Sequence, residues 1–189
     1  MQYASRVART VYYAAVSLDG FIAANDGGVS WLDAYNSPEL GYERFLAGVG
    51  AVVLGRTTYE QSLTFGPWPY PGRLGLVVTE RPIDSLPEQT RTVTVAELAA
   101  ALDNLRAHAT GDVWIVGGGR TARACLDAGR VDELELYTIP IALGSGVPLL
   151  APSDRSVPLQ LLATQRFAND VQMSRYAVER GSVGVLPTK

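Results

Sequence analysis

Two places in the sequence join a buried strand to a helix through glycine. Residues 113–116 lead into Gly117, Gly118 and Gly119, and residues 52–54 lead into Gly55. A helix that begins at glycine exposes unpaired backbone N–H groups, a geometry that binds phosphate or pyrophosphate. The alternative is a tight turn packed closely against its neighbours, since glycine motifs have many false positives. Two such junctions in one small chain favour a ligand with more than one phosphate.

Side chains that suit phosphate follow these junctions. Arg56, Thr57 and Thr58 open the helix after Gly55, and Thr79 and Arg81 follow a third strand. Arginine presents a planar fork of donors that matches phosphate oxygens, and threonine hydroxyls can donate beside the backbone N–H groups. Taken alone, these residues favour an interpretation as helix-capping hydroxyls and surface arginines. Together with the glycine junctions they predict an anionic ligand.

A carboxylate in an apolar setting could act as a proton donor. Ser37 and Pro38 predict the start of a helix, on which Glu39 lies at the edge of the apolar stripe formed by Tyr42, Phe45, Leu46 and Val49. Desolvation there would favour the protonated form that a proton donor requires. The alternative is a carboxylate that complements the helix dipole. Asp19 is the competing acid, although Leu-Asp-Gly is a typical turn sequence.

Four other residues need an interpretation. Trp31 precedes the Glu39 helix, so we expect it to form a wall of the substrate pocket. Trp114 and Cys125 fit core positions. His108 ends a helix, where a cation suits the dipole, and is expected at the surface.

The elements alternate between short β-rich runs and helical patterns, which indicates one α/β domain. Thr94 and Glu97 form a capping box before the longest helix. Residues 159–178 predict a hairpin that turns at Asn169 and Asp170. We predict a single domain over residues 11–180, with an N-terminal extension of residues 1–10 and a tail of residues 181–189.

The composition excludes several classes of function. The 189 residues carry a net charge of −3 and contain one histidine and one cysteine. These counts rule out a zinc site of the usual kind and an intrachain disulfide. No basic stretch exceeds two residues and no apolar stretch approaches a membrane span, so neither nucleic acid nor membrane is an expected partner. We expect a cytoplasmic protein.

The motifs resemble those of the dihydrofolate-reductase fold. Gly-Arg-Thr-Thr-Tyr-Glu at residues 55–60 and Ile-Val-Gly-Gly-Gly-Arg at residues 115–120 carry the resemblance, in the right order with Ser-Leu-Asp-Gly-Phe at residues 17–21. More closely, the chain is similar to the C-terminal reductase domain of bifunctional riboflavin-biosynthesis deaminase-reductases and to its stand-alone relatives. The resemblance implies a three-layer fold: a mixed, mostly parallel sheet with helices on both faces and a C-terminal β-hairpin.

The resemblance also implies a reductase that binds NADPH in an extended cleft. The backbone of Ala15 and Ser17 would line the nicotinamide. Thr79 and Arg81 would lie near the 2′-phosphate, and the glycine triplet would face the pyrophosphate. Glu80 departs from this pattern, because its carboxylate would repel a 2′-phosphate. The residues assigned to the cofactor in this way are Ala15, Ser17, Gly55, Arg56, Thr57, Thr58, Thr79, Arg81, Val116, Gly117, Gly118, Gly119, Arg120 and Thr121.

The implied reaction is hydride transfer to a small heterocyclic or ribosylamino-pyrimidine-like substrate, as in 5-amino-6-(5-phosphoribosylamino)uracil reductase of riboflavin biosynthesis. Dihydrofolate reductase activity and a non-catalytic nucleotide-binding module are the alternatives. The resemblance further implies a homodimer formed near the late strand.

Overall fold

The computed structural model describes residues 8–179 and the backbone of residues 184–185. It contains four α-helices and twelve strands within this part of the chain. The helices are α1 (Tyr42–Ala47), α2 (Arg56–Thr64), α3 (Leu98–His108) and α4 (Gly119–Asp127). The strands are β1 (Thr10–Ser17), β2 (Phe21–Ala23), β3 (Val49–Gly55), β4 (Leu74–Val78), β5 (Thr90–Val93), β6 (Asp112–Gly117), β7 (Glu133–Ile139), β8 (Val147–Pro148), β9 (Arg155–Ser156), β10 (Leu159–Arg166), β11 (Gln172–Val178) and β12 (Gly184–Val185).

Eight strands form the main sheet, in the order β10-β11-β7-β1-β6-β3-β4-β5. The six strands from β7 to β5 run parallel to their neighbours, and the hairpin β10–β11 adds two antiparallel strands at one edge. Central strand β3 is buried along nearly its whole length, which explains its continuous apolar sequence. The predicted fold class is therefore confirmed, as is the hairpin, where Asp170 adopts a positive φ of 64°.

The sheet carries a separate hydrophobic core on each face. One core packs Leu98, Leu102 and Cys125 of α3 and α4 against the sheet. The other contains Trp114 and Tyr59 and is covered by the segment that leads into α1. The predicted core positions of Trp114 and Cys125 are confirmed, and burial raises the pKa of the Cys125 thiol to about 12.

Helix α3 begins as its sequence predicts. The backbone N–H of Thr94 donates to Oε2 of Glu97 at 2.9 Å, and the N–H of Glu97 donates to the Thr94 hydroxyl at 3.4 Å. These two bonds form the capping box. His108 ends the helix and is exposed, as expected.

The prediction of one continuous helix from Ser37 onward is wrong, because the structure has two separate helical segments there. Ser37 caps a helical turn by accepting from the N–H of Glu39, but this 3₁₀ turn ends at Leu40. Gly41 then takes the left-handed conformation, with φ of 77°, and α1 starts afresh at Tyr42. Glu39 therefore does not share a helical face with the apolar residues of α1.

The domain starts earlier than predicted. Ala8 is buried, and the Arg9 guanidinium forms ion pairs with Asp112 and Glu133. Residues 8–10 therefore belong to the fold rather than to an extension, while residues 1–7 lie outside the described residues. Of the predicted tail, only the backbone of β12 is described, where it pairs with β9.

Candidate active site

A cleft of about 900 Å³ opens where the parallel strands end. It is bordered by the C-terminal parts of β1, β6, β3 and β4, and by the first turns of α2 and α4. Ligands of open α/β sheets bind outside the carboxyl ends of the strands. The cleft therefore lies where both glycine junctions meet.

Helix α2 supplies one uncapped N-terminus to the cleft. Gly55 precedes its first turn, and no side chain caps the helix. A Cβ on Gly55 would lie 2.6 Å from Oγ1 of Thr121, so glycine here allows α2 and α4 to approach each other. Thr57 is exposed and Thr58 half-buried, and both line the cleft.

Helix α4 supplies the second uncapped N-terminus, and its three glycines have different roles. Gly117 has a φ of 141°, which favours glycine. A Cβ on Gly119 would lie 2.2 Å from the Pro148 carbonyl oxygen, so this residue is required by packing. A Cβ on Gly118 would meet only Oγ1 of Thr58, at 3.6 Å, and the φ of this residue is −88°. Neither space nor φ explains glycine at Gly118, which leaves its backbone open to a ligand.

Three arginines line the cleft beside these helix ends, in two different states. The Arg56 guanidinium is already engaged, because it donates to Glu60 and to the carbonyl oxygens of Arg81 and Pro82. The side chains of Arg81 and Arg120 are exposed and have no hydrogen-bond or ion-pair partner among the described residues. These two are the cations available to an anionic ligand.

The structure brings together thirteen of the fourteen residues predicted to bind the cofactor. Ser17 is the exception, because its side chain is buried and does not line the cleft. Its hydroxyl instead donates to Asp19 and accepts from the N–H of Phe21. The residues that do line the cleft are Ala15, Gly55, Arg56, Thr57, Thr58, Thr79, Arg81, Val116, Gly117, Gly118, Gly119, Arg120 and Thr121.

Aromatic side chains from four segments line the other end of the cleft. Tyr13 of β1 and Tyr137 of β7 have ring centroids 5.0 Å apart. Trp114 of β6 meets Tyr13 edge-on at 6.2 Å and Tyr42 of α1 at 6.0 Å. Burial raises the pKa of Tyr13 to about 12 and raises that of Tyr42 as well, so both phenols stay neutral at physiological pH.

Glu39 does not lie at this end of the cleft. Its side chain is exposed and borders a second cavity, on the other side of Leu40 and Tyr137. The predicted desolvation of Glu39 is wrong. It assumed one continuous helix, and Gly41 interrupts that helix. The structure therefore gives Glu39 no position from which to protonate a ligand in the cleft.

Asp19 also lies outside the cleft lining, and it holds a loop together. Its carboxylate accepts from the Ser17 hydroxyl at 2.6 Å and from the N–H groups of Leu143 and Gly144 at 3.0 and 2.6 Å. These bonds, that from Ser17 above all, lower the pKa of Asp19 to about 2. An acid held ionised in this way fits the turn-forming role and not that of a proton donor.

Trp31 is placed differently from the prediction. Its ring is half-buried and packs against the core that contains Trp114, and it does not line the cleft. The expectation of a pocket wall failed because the same short helical turn presents other residues. That turn, Ser30–Tyr35, lines the cleft with Leu32, Asp33 and Tyr35.

Sequence reasoning missed Asp33, Tyr13, Tyr42 and Tyr137. Two carboxylates line the cleft among the described residues, namely Asp33 of the helical turn Ser30–Tyr35 and Glu80, which adjoins Arg81 in the sequence. Glu80 is held by the N–H of Val95 at 3.1 Å. Acid residues in a 3₁₀ turn have no characteristic spacing, so no periodic signal marks Asp33.

The comparisons with known proteins agree with this architecture. The family model of the RibD C-terminal domain matches residues 73–173, more than half of the chain. The protein YwjB of Bacillus subtilis is 35% identical over 167 residues, which cover 87% of this chain and 95% of YwjB. The chain belongs to the RibD C-terminal domain family.

Two solved structures illustrate the shared fold. A candidate riboflavin biosynthesis protein of Shewanella sp. PV-4 is 25% identical, with a TM-score of 0.77 over 91% of this chain and 99% of the other. Dihydrofolate reductase of Enterococcus faecalis, solved with NADP(H) and RAB-propyl, is 21% identical, with a TM-score of 0.64 over 90% of this chain and 96% of the other. At that identity the second match shows the fold alone.

Residues 8–179 have neither a membrane-spanning helix nor a metal-binding cluster of side chains. No helix there is long and apolar enough to cross a membrane. The same residues contain no group of three or more His, Cys, Asp or Glu side chains that could hold a metal ion.

Proposed function

We propose that this member of the RibD C-terminal domain family is an NADPH-dependent reductase that transfers hydride to a small heterocyclic substrate. The observation that carries the proposal is the convergence of two uncapped helix N-termini and two unpaired arginines on one cleft. Such an arrangement binds a dinucleotide through backbone donors, with fixed positive charge beside its phosphates. The family membership and the dihydrofolate-reductase fold support the same function.

The nucleotide would bind across the strand ends. The first turn of α4, at Gly118, Gly119 and Arg120, would donate to the pyrophosphate. The first turn of α2, at Thr57 and Thr58, would donate to the adenosine half, with Arg81 beside the 2′-phosphate. NADPH supplies the hydride when it is bound, and Ala15 of β1 would face the nicotinamide near the aromatic end.

Proton delivery then falls to Asp33. The phenols of Tyr13, Tyr42 and Tyr137 have raised pKa values because they are buried, so they can donate hydrogen bonds but do not release protons near neutral pH. Glu80 is held near the arginines by Val95. Asp33 is exposed on its helical turn and lines the cleft, and it is the remaining carboxylate there among the described residues.

The test of this proposal is a titration of NADPH followed by tryptophan fluorescence, because Trp114 lines the cleft. We expect saturable binding by the wild-type protein and weaker binding by Gly118→Ala, whose added methyl group would project toward the cleft. Absence of NADPH binding by the wild-type protein would refute the proposal. Binding without turnover in a broad screen of heterocycles would favour the alternative of a nucleotide-binding module.

We further propose that the protein forms a homodimer through β10. This strand is the edge of the sheet, and Leu159, Leu161 and Leu162 on it are 41%, 54% and 45% exposed. An exposed apolar edge strand is a template for pairing with a second copy. Sedimentation velocity should show a dimer that Leu161→Lys dissociates. A wild-type protein that is still a monomer at roughly 100 μM would contradict the proposal.

A further inference from the structure

The second cavity, of about 820 Å³, is built from other residues than the cleft. It opens near the first residues of β1, β3, β6 and β7, whereas the cleft opens where parallel strands end. Leu40 and Tyr137 line both cavities and form the wall between them. The Tyr137 hydroxyl lies 2.9 Å from the Leu40 carbonyl oxygen and 2.9 Å from Oε1 of Glu135, so it donates within this wall. A ligand in the second cavity would therefore be recognised separately from one in the cleft.

Part of the lining of the second cavity is apolar and aromatic. Phe167 is buried and stacks on Tyr137, with ring centroids 6.1 Å apart and planes inclined by 25°. Met173 pairs with Tyr137 in the register of β11 and β7, so the two residues are direct neighbours in the sheet. The apolar lining includes Val11, Phe45, Val49, Tyr137, Phe167 and Met173. Flat apolar groups pack favourably against such a surface.

Arg175 of β11 brings an unpaired cation to this lining. Its side chain is half-buried, and its Nε is closed off from solvent without a hydrogen-bond partner among the described residues. Glu135 is its neighbour in the register of β11 and β7, but Oε1 of Glu135 lies against the Tyr137 hydroxyl, and no ion pair joins the two residues. A guanidinium that has lost part of its hydration without gaining an acid partner is stabilised by a bound anion.

The other two arginines of the lining are in different states. Arg9 is already engaged, because it forms ion pairs with Asp112 and Glu133. Arg44 of α1 is exposed and has neither a hydrogen-bond nor an ion-pair partner within residues 8–179. Arg44 and Arg175 are therefore the cations that this cavity offers to an anion.

The carboxylates of the lining limit the charge of that anion. Asp112 and Glu133 are ion-paired to Arg9, whereas Glu39 and Glu135 have no ion-pair partner in the part of the chain that the structure describes. Two unpaired carboxylates repel a dianion, such as a phosphate monoester, more strongly than a monoanion. Glu39 is exposed, so water and salt screen its charge, while the half-buried Arg175 is screened less. The lining therefore favours a single negative charge.

We propose that the second cavity binds a small monocarboxylate with a flat apolar body. The carboxylate would bind Arg175 and Arg44, and the apolar body would pack against Phe167 and Tyr137. The inference goes beyond the proposed reductase function and does not depend on it, because none of the residues assigned to the nucleotide takes part.

Three probes of similar shape test the inference. Benzoate is a flat monocarboxylate, benzyl alcohol lacks the charge, and phenyl phosphate carries a second one. Binding of each is measured by calorimetry for the wild-type protein, Arg175→Gln, Arg44→Gln and Arg120→Gln. Arg120→Gln is the matched control, since this arginine is also exposed and unpaired among the described residues but lines the cleft instead.

We expect benzoate to bind the wild-type protein and Arg120→Gln alike. Arg175→Gln should bind it at least about tenfold more weakly, because a charge-assisted hydrogen bond is lost, and Arg44→Gln about threefold more weakly, because this side chain is exposed. Benzyl alcohol and phenyl phosphate should each bind the wild-type protein at least about tenfold more weakly than benzoate does.

Four results would overturn the inference: no binding of benzoate to the wild-type protein, unchanged binding to folded Arg175→Gln, a loss in Arg120→Gln, or phenyl phosphate that binds as tightly as benzoate. A loss in Arg120→Gln would place benzoate in the cleft. Should Arg175→Gln not fold, the comparison of Arg44→Gln with Arg120→Gln decides, because both replace exposed side chains. Equal binding to these two variants would then contradict the proposed site.

Discussion

The end of the cleft proposed to hold the nucleotide (the nucleotide end) is built mainly from backbone, whereas the aromatic end is built from side chains. At the nucleotide end, α2 and α4 begin next to glycine without a side-chain cap, and their first turns line the cleft. At the aromatic end, Tyr13, Tyr42, Trp114 and Tyr137 come from four separate segments. A site that binds its ligand through backbone groups tolerates substitution of most side chains but not of its glycines. A site that binds through side chains can change its ligand through single substitutions. The cofactor end should therefore be the less adaptable of the two.

The largest expected effect comes from Gly119. Its Cβ would lie 2.2 Å from the Pro148 oxygen and 3.1 Å from the Leu149 oxygen, and backbone atoms cannot yield as a flexible side chain can. Gly119→Ala should lower the free energy of unfolding by about 3 kcal/mol, the upper range for overpacking. Urea unfolding measures this, with Gly118→Ala as the control, for which we expect less than about 1 kcal/mol. Equal losses for both variants would show that the two glycines do not divide their roles.

Asp33 gives the next largest effect. Asp33→Asn should reduce turnover about 100-fold, the typical contribution of a positioned proton donor, and leave NADPH affinity unchanged. The assay is NADPH oxidation with the substrate found by screening heterocycles. Glu39→Gln should retain wild-type turnover, because Glu39 does not line the cleft. The reverse result would return the proton-donor role to Glu39.

Arg81 tests the nucleotide end. Arg81→Ala should weaken NADPH binding roughly 10-fold and leave NADH binding almost unchanged, because a charge-assisted bond to the 2′-phosphate would be lost. Arg91→Ala is the matched control, since Arg91 is exposed on neighbouring β5 but does not line the cleft. A similar loss for both cofactors would place Arg81 away from the 2′-phosphate.

Glu80 gives the smallest effect. Its carboxylate adjoins Arg81 in the sequence and lines the same end of the cleft. Glu80→Gln should improve NADPH binding relative to NADH about two- to threefold, because an exposed like charge is removed from a screened position. Fluorescence titration with each cofactor measures the ratio of NADPH affinity to NADH affinity. A lower ratio in Glu80→Gln would mean that the hydrogen bond from the Val95 N–H to Glu80 positions the site.

The nucleotide end could be predicted from the sequence because its signals are local. A buried strand, a glycine and a helix start are contiguous at Gly55 and at residues 117–119, and parallel strands bring such junctions to one edge. The aromatic end could not be predicted in this way, because Tyr13 and Tyr137 meet only through the pairing of β1 with β7.

The error at Glu39 has a local physical cause. Helical periodicity treated residues 37–49 as one helix, but Gly41 adopts a left-handed conformation and starts a new helix with a different direction. Glycine at this position has nothing within 4 Å of its would-be Cβ, so the backbone conformation alone requires it. A helical wheel drawn across such a glycine places Glu39 on the wrong face.

The most direct test of the central claim is a crystal structure of the protein with NADPH. The account predicts that the pyrophosphate lies within about 3 Å of backbone N–H groups in the first turn of α4, a normal hydrogen-bond distance. It also predicts the 2′-phosphate beside Arg81 and the nicotinamide directed toward Tyr13 and Trp114. A nucleotide bound in the opposite direction, or in the cavity that Arg44 and Arg175 line, would contradict the account.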